Sequence, residues 1–97
     1  MTLRTFLLAT GTAMIAALPA SAACYADYRA QTTNPTRFHY GVAQISNGAC
    51  GNTGAAFNEL SGRLQQNGWT LVDVLSTFGD EGLGSRQYNA GSYYLRF

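Results

Sequence analysis

The chain has 97 residues, with six arginines and no lysine against five acidic residues, and a formal net charge of +1. A nearly neutral chain without a basic stripe argues against nucleic acid as a partner, because phosphate binding depends on clustered positive charge. The same balance of charge disfavours attraction to anionic lipid.

The first residues have the three-part order of a secretory signal. One arginine precedes an apolar run over residues 6–18, and a string of small residues ends at Ala22. We predict a signal peptide over residues 1–22 with cleavage after Ala22. A membrane anchor is one alternative, but an apolar run of about 13 residues is shorter than the roughly 20 that span a bilayer. Lipidation of Cys24 is another, although the apolar residue expected three positions before such a cysteine is missing.

The predicted mature chain, residues 23–97, is long enough for one domain but close to the size at which a lone hydrophobic core is marginal. It contains two cysteines, Cys24 and Cys50. Because an exported protein meets an oxidising compartment, we predict a disulfide between them. Metal ligation or a catalytic thiol is the alternative, but His39 is the only histidine and zinc sites use about four ligands. We therefore expect no metal and no cofactor.

The first part of the mature chain contains a short aromatic segment and then a strand. Residues 24–31 read CYADYRAQ, and a turn at Asn34-Pro35 follows. Residues 37–45 alternate between two sets of side chains, as a strand does. The two sets are Phe38, Tyr40 and Val42 on one side and Arg37, His39 and Gly41 on the other.

One helix is predicted in the middle of the mature chain. It starts near Asn52 or Thr53, both good N-cap residues, and runs to about Gln66. Its apolar positions recur at helical spacing and form one narrow stripe, made of Ala56, Phe57, Leu60 and Leu64.

A strand-like run begins directly after the helix with Trp69. Asn67-Gly68 supplies the left-handed residue that commonly closes a helix. Because the strand starts within two residues of the helix end, we predict that Trp69 packs in the core near Leu64. An exposed tryptophan that stacks on a ligand is the alternative.

The last third of the chain is predicted to hold two strands and a loop. Residues 70–78, TLVDVLSTF, are apolar on both faces, so either a bulge near Asp73 changes the phase or both faces are covered. Residues 79–91 form a glycine-rich polar connection, which we interpret as a solvated hairpin loop, with ligand contact as the alternative. Residues 92–97, SYYLRF, are predicted to be a closing strand.

These elements predict an α+β fold, in which one helix packs on a three- or four-stranded, mostly antiparallel sheet. The predicted core order is strand, helix, strand, strand, and the amino-terminal segment is an optional extra strand before it.

The junction between helix and strand also carries a resemblance. The run LSGRLQQNGWTLVDVLSTF, with YYLRF after a glycine-rich gap, resembles a family of short, uncharacterised bacterial domains in which a helix runs into Gly-Trp-x-Leu-Val. The resemblance covers residues 37–97 and implies the same strand, helix, strand, strand order. The signal sequence and the two cysteines are not features of that family, and the family has no established activity to lend.

The predicted sheet face away from the helix mixes aromatic, apolar and charged groups, as binding surfaces do. We predict a binding surface there, formed by Arg37, His39, Asp73, Tyr94 and Arg96, with His39 as a half-exposed strand residue. The alternative is that the amino-terminal segment covers this face.

The sequence therefore favours an exported, periplasmic or secreted, non-enzymatic binding or envelope-accessory module. Its partner is expected to be a protein or a small ligand. The mature chain is expected not to insert into a membrane after signal cleavage. One alternative is a small periplasmic enzyme centred on His39 with Asp73 or Arg37. Another is a homodimer joined sheet to sheet.

Overall fold

The computed structural model describes residues 23–97, and the predicted signal peptide lies outside the described residues. The chain order is β1 (Cys24–Thr32), β2 (Arg37–Ile45), α1 (Thr53–Gln65), β3 (Thr70–Phe78) and α2 (Gly84–Ala90), with 3-10 turns at Asn47–Ala49, Asp80–Gly82 and Gly91–Tyr93. The three strands form one antiparallel sheet. The predicted α+β class is confirmed.

The strand order is β2-β1-β3, so the amino-terminal segment is the central strand. The extra strand that was optional in the predicted order is thus present, whereas the predicted closing strand at residues 92–97 was wrong. The chain there turns at Gly91–Tyr93, and Leu95 has a φ of 55°, which interrupts an extended run. Only Tyr94 forms a bridge, in parallel with Val42 at the outer edge of β2.

The helix α1 matches its prediction at both ends. The Asn52 side chain accepts a hydrogen bond from the backbone N–H of Ala55 at 2.9 Å, as an N-cap residue does. At the other end Gly68 has a φ of 84°, and the Trp69 N–H donates to the Leu64 carbonyl at 3.0 Å. Trp69 is only 8% exposed and belongs to the same core cluster as Leu64, which confirms the predicted packing.

We call the side of the sheet that packs against α1 the first face. Its core combines small and aliphatic side chains with the rings of Trp69 and Tyr28, and Tyr28 is fully buried. Tyr28 lies opposite Gly41 in the β1–β2 pairing, and a Cβ added to Gly41 would lie 2.6 Å from Cζ of Tyr28. The ring therefore needs a glycine on the neighbouring strand. The predicted disulfide is confirmed: Cys24 and Cys50 are bonded, with their Cα atoms 5.8 Å apart, and they tie the start of β1 to the segment before α1.

The side of β2 that faces the helix is the opposite of the predicted one. His39, Ala43 and Ile45 join the first face, whereas Tyr40 and Val42 pack on the other side. The bulky residues of β2 were expected to meet the helix, but the ring of Tyr28 already fills that space above Gly41.

Of the two alternatives for β3, a bulge near Asp73 or two covered faces, the structure shows irregular pairing on either side of Asp73 and Val74. The β1–β3 pairing passes from Ser76 to Val74 and from Asp73 to Leu71, which leaves Leu75 and Val72 without β1 partners. Both skipped side chains are exposed.

The opposite side, the second face, is covered over part of its area by residues 79–90 and by Tyr94. The predicted solvated loop was wrong there, because these residues form a 3-10 turn and α2 and bury Ala90 against Tyr25 and Val42. The covering segment is attached through the buried carboxylate of Asp27. This carboxylate accepts hydrogen bonds from Tyr40 (2.9 Å), Ser76 (2.7 Å) and Arg86 (3.0 Å).

Candidate functional site

The structure brings together three of the five predicted binding residues. Arg37 and His39 lie on the first face at the start of β2, and Arg96 lies near them at the end of the described chain. Asp73 and Tyr94 lie on the second face, so the prediction of one shared surface was wrong for these two. Asp73 accepts hydrogen bonds from Arg29, with Nε and Oδ1 3.0 Å apart, and Tyr94 packs with Val42.

His39 is buried rather than half-exposed, with 9% of its surface accessible. The Tyr93 ring stacks on the imidazole with centroids 3.7 Å apart, and the Trp69 ring meets it edge to face at 4.3 Å. His39 Nε2 and the Tyr28 hydroxyl share a hydrogen bond of 2.9 Å whose direction depends on the tautomer. His39 Nδ1 is the only buried side-chain polar atom without a hydrogen-bond partner in residues 23–97. Such atoms are rare in folded proteins and call for a specific explanation.

The surroundings of His39 hold it in the neutral form. Burial lowers the pKa of His39 to about 4, and the positive charge of Arg96 acts in the same direction. Burial also raises the pKa of the Tyr28 hydroxyl. A neutral imidazole with so low a pKa is a weak proton acceptor. Asp73, one of the two partners considered for a catalytic His39, lies on the other face of the sheet.

Arg37 and Arg96 each lie near an aromatic ring of this region. The Arg37 guanidinium carbon is 5.6 Å from the centre of the Trp69 ring, and that of Arg96 is 5.5 Å from the centre of the Tyr93 ring. These distances are within the range of cation–π contacts. We define the arginine–aromatic cluster as Arg37, His39, Trp69, Tyr93, Arg96 and Phe97.

The two arginines of the cluster differ from the other three in the described chain. Arg29, Arg63 and Arg86 each form an ion pair with a carboxylate. Arg37 and Arg96 are exposed, and within residues 23–97 neither forms an ion pair or donates a side-chain hydrogen bond. Their guanidinium groups are therefore available to a partner.

Three separate parts of the fold position the cluster. The strand β2 supplies Arg37 and His39, the α1–β3 junction supplies Trp69, and the residues after α2 supply Tyr93 and Arg96. Arg63 of α1 fixes the last residues, because it donates to the carbonyl oxygens of Gln44 (2.9 Å) and Phe97 (3.2 Å).

Sequence reasoning missed the part that Trp69 and Tyr93 take in this site, since it assigned Trp69 to the core and Tyr93 to a closing strand. Both do pack against the core, and each also lies next to an arginine. The available signal was Arg96, three positions after Tyr93, whereas Arg37 and its ring Trp69 are 32 positions apart in the sequence.

Residues 23–97 contain no pocket and no group of three or more His, Cys, Asp or Glu residues that could hold a metal ion. None of the helices in this part of the chain is long and apolar enough to cross a membrane.

The chain matches no protein-family model, no curated protein and no solved structure. The resemblance to short bacterial domains with a helix-Gly-Trp-strand junction therefore stays a prediction.

Proposed function

We propose that the protein is an exported, disulfide-stabilised binding module, periplasmic or secreted, that acts without enzymatic activity and contacts its partner through the arginine–aromatic cluster. The observation that carries the proposal is the pair Arg37 and Arg96. Both are exposed, each lies over an aromatic ring, and neither has an ionic partner in the described chain.

The composition of the cluster supports contact with a partner. Arginine, tryptophan and tyrosine are the residues most enriched among those that dominate binding energy at interfaces. The rings are also held in place before binding, because Trp69 and Tyr93 pack against His39 and the core. A contact surface that is already ordered loses less conformational entropy when a partner binds.

Export is supported by two features from different parts of the chain. The first 22 residues have the order of a cleaved signal, and the Cys24–Cys50 bond is of the kind that persists in oxidising compartments. The direct test is the intact mass of the protein recovered from outside the cytoplasm. We expect a chain that starts at Ala23 and has no thiol available to alkylation before reduction. Absence of the protein from outside the cytoplasm would reject export, and a recovered chain that keeps residues 1–22 would reject cleavage after Ala22.

The binding surface is tested by quantitative capture of envelope and secreted proteins on tagged residues 23–97. The variants Arg37→Gln and Arg96→Gln each remove one exposed positive charge from the cluster. Arg29→Gln is the matched control, because it removes one exposed charge from the second face. We expect the control to retain the partners of the unchanged protein and both cluster variants to lose them. Equal recovery by all three variants would reject the surface.

A further inference from the structure

We infer that the arginine–aromatic cluster binds the carboxylate groups of an acidic segment of a partner protein, an inference that rests on the binding surface proposed above. The charges of the described chain provide the starting point. Five arginines and five acidic residues lie in residues 23–97, and three of each pair with one another within the fold. The remaining cations are Arg37 and Arg96, and the remaining anions are Asp80 and Glu81.

The unmatched charges are well separated. Asp80 and Glu81 follow the end of β3, and Asp80 accepts a hydrogen bond from Tyr25 at 2.8 Å. Arg37 lies over the ring of Trp69, and Trp69 is the residue directly before the start of β3. Because β3 has nine residues at about 3.3 Å each, roughly 30 Å of strand lies between the two ends. At that distance, which exceeds the Debye length of about 8 Å in physiological salt, Asp80 and Glu81 do not neutralise Arg37.

The geometry of the cluster favours an anion over a ligand that stacks on rings. Trp69 is only 8% exposed, and the Tyr93 ring is stacked with His39, so neither ring offers a free face to a sugar. The exposed groups are the arginine guanidiniums. A guanidinium presents its N–H donors in a planar fork that matches the two oxygens of a carboxylate.

Each of the two arginines lies over its own ring, Arg37 over Trp69 and Arg96 over Tyr93, and the centres of these rings are 5.7 Å apart. A carboxylate carries one negative charge, which one guanidinium matches through its planar fork of donors. Nucleic acids and anionic membranes recruit runs of clustered basic residues, whereas this region has two isolated arginines and the chain has no lysine. A peptide segment with two or more Asp or Glu side chains supplies separate carboxylates on a flexible backbone.

The arginine side chains themselves report on this binding. In a 15N-labelled sample of residues 23–97, the five arginine Nε–Hε signals are followed by NMR while tetraglutamate is added. We expect saturable shifts of the Arg37 and Arg96 signals. Arg29, Arg63 and Arg86 serve as internal controls, because carboxylates within the fold already hold them. Tetraglutamine, which has the same length without the charge, should shift none of the five signals.

Variants set the size of the effect. Arg37→Gln and Arg96→Gln should each weaken tetraglutamate binding about two- to fivefold, the range for one solvent-exposed ion pair. Arg29→Gln should leave the affinity unchanged. Binding should also weaken as sodium chloride rises from 50 to 300 mM.

Four outcomes would overturn the inference. The first is the absence of any shift with tetraglutamate, and the second is an equal shift of all five arginine signals, which would indicate general screening. The third is tighter saturation by inorganic phosphate than by tetraglutamate. The fourth is a shift of Arg37 and Arg96 with protein concentration alone that Asp80→Asn and Glu81→Gln abolish, because the acidic partner would then be a second copy of this chain.

These outcomes are separable from failure of the binding surface itself. If capture of a partner depends on Arg37 and Arg96 while tetraglutamate produces no shift, the acidic segment is rejected and the surface stands. If tetraglutamate binds at both arginines while capture is the same for all variants, the carboxylate preference stands and the proposed role in partner capture is rejected.

Discussion

The two faces of the sheet are stabilised by different kinds of interaction. The first face packs α1 onto alanines, aliphatic side chains and the Tyr28 ring, and a disulfide closes one end of it. The second face holds α2 through the buried carboxylate of Asp27, which accepts hydrogen bonds from three different elements. Hydrophobic burial is non-directional and spread over many atoms, whereas a buried charge is stable only with particular donors in place. The first face should therefore lose stability in proportion to what is removed, and the second should fail when a single donor is lost.

The largest expected effect comes from the covalent tie of the first face. Replacement of Cys24 and Cys50 by alanine removes the constraint on a loop with a sequence separation of 26. In the chain-entropy model this lowers the free energy of unfolding by about 3 to 4 kcal/mol. Urea denaturation measures the change, and the unchanged protein under reducing conditions should show the same loss. A difference below 1 kcal/mol would mean that packing alone sustains the first face.

The second face is expected to depend on Arg86 almost as strongly. Arg86→Met leaves the Asp27 carboxylate buried without its cation, which should cost about 3 kcal/mol of unfolding free energy. Arg29→Met is the matched control, since it breaks the exposed pair with Asp73 and should change stability little. Similar losses in the two variants, measured by denaturant unfolding, would contradict the contrast between the faces. Addition of Asp27→Asn to Arg86→Met should restore part of the loss.

Alanine in place of two glycines, Gly41 on the first face and Gly62 in α1, should change the stability of the protein in opposite directions. Gly41→Ala places a Cβ against the buried Tyr28 ring and should destabilise the protein by about 1 to 3 kcal/mol. Gly62→Ala lies within α1 with open space around its Cβ, so it should stabilise by about 0.5 to 1 kcal/mol. Thermal unfolding of the two variants measures both changes, a lower melting temperature for Gly41→Ala and a higher one for Gly62→Ala. A neutral Gly41→Ala would show that the Tyr28 ring has room to move.

A further effect, smaller than the loss of the disulfide or of Arg86, is a dependence on pH through His39. Its pKa in the folded protein is lowered to about 4 from an ordinary value of 6.5, so protons bind the unfolded chain first as the pH falls. The stability that neutral His39 contributes is complete above pH 6.5 and is lost as the pH falls from there towards 4. At pH 5 the loss should be about 1 to 2 kcal/mol. Arg29 lowers the pKa of Asp73 from 3.8, so the stability that Asp73 contributes is present above pH 3.8 and is lost only below it, outside the range between pH 7 and pH 5.

Denaturant unfolding at pH 7 and pH 5 measures the dependence, with His39→Gln as the control. We expect the variant to be less stable at pH 7 and to lose the change between pH 7 and pH 5. If the variant keeps the whole difference in stability between pH 7 and pH 5, groups other than His39 cause that difference.

The parts of the fold that were predicted correctly depend on neighbouring residues. The cap at Asn52, the spacing of Leu60 and Leu64, and the left-handed Gly68 are all local signals, and together they define α1. The contact between Trp69 and Leu64 follows because the chain has no length to separate them. The disulfide followed from the presence of only two cysteines in the mature chain.

The helix α2 was missed for a physical reason. Its sequence, GSRQYNA, has seven residues and little apolar periodicity, and so short a helix is marginal on its own. Its stability comes from contacts with distant residues, namely the pair of Arg86 with Asp27 and the burial of Ala90 beside Val42. No window of local sequence contains both partners.

The candidate site shows the same division. Arg37, His39 and Arg96 were identified as binding candidates by residue type, but Asp73 was placed with them because β2 was assigned the reverse phase. The aromatic rings of the cluster come from positions 69, 93 and 97, and only the folded chain brings them to His39.

The sequence by itself determined that one amphipathic helix ends at a glycine, that Trp69 follows it into the core, and that Cys24 bonds Cys50. Only the tertiary structure decided which side of β2 is buried and which arginines remain without a carboxylate. A strand alternates its faces every residue, so a shift of one position exchanges buried and exposed side chains. In this protein the choice was made by β1, whose Tyr28 ring fits over Gly41 and thereby turns His39 towards the aromatic cluster.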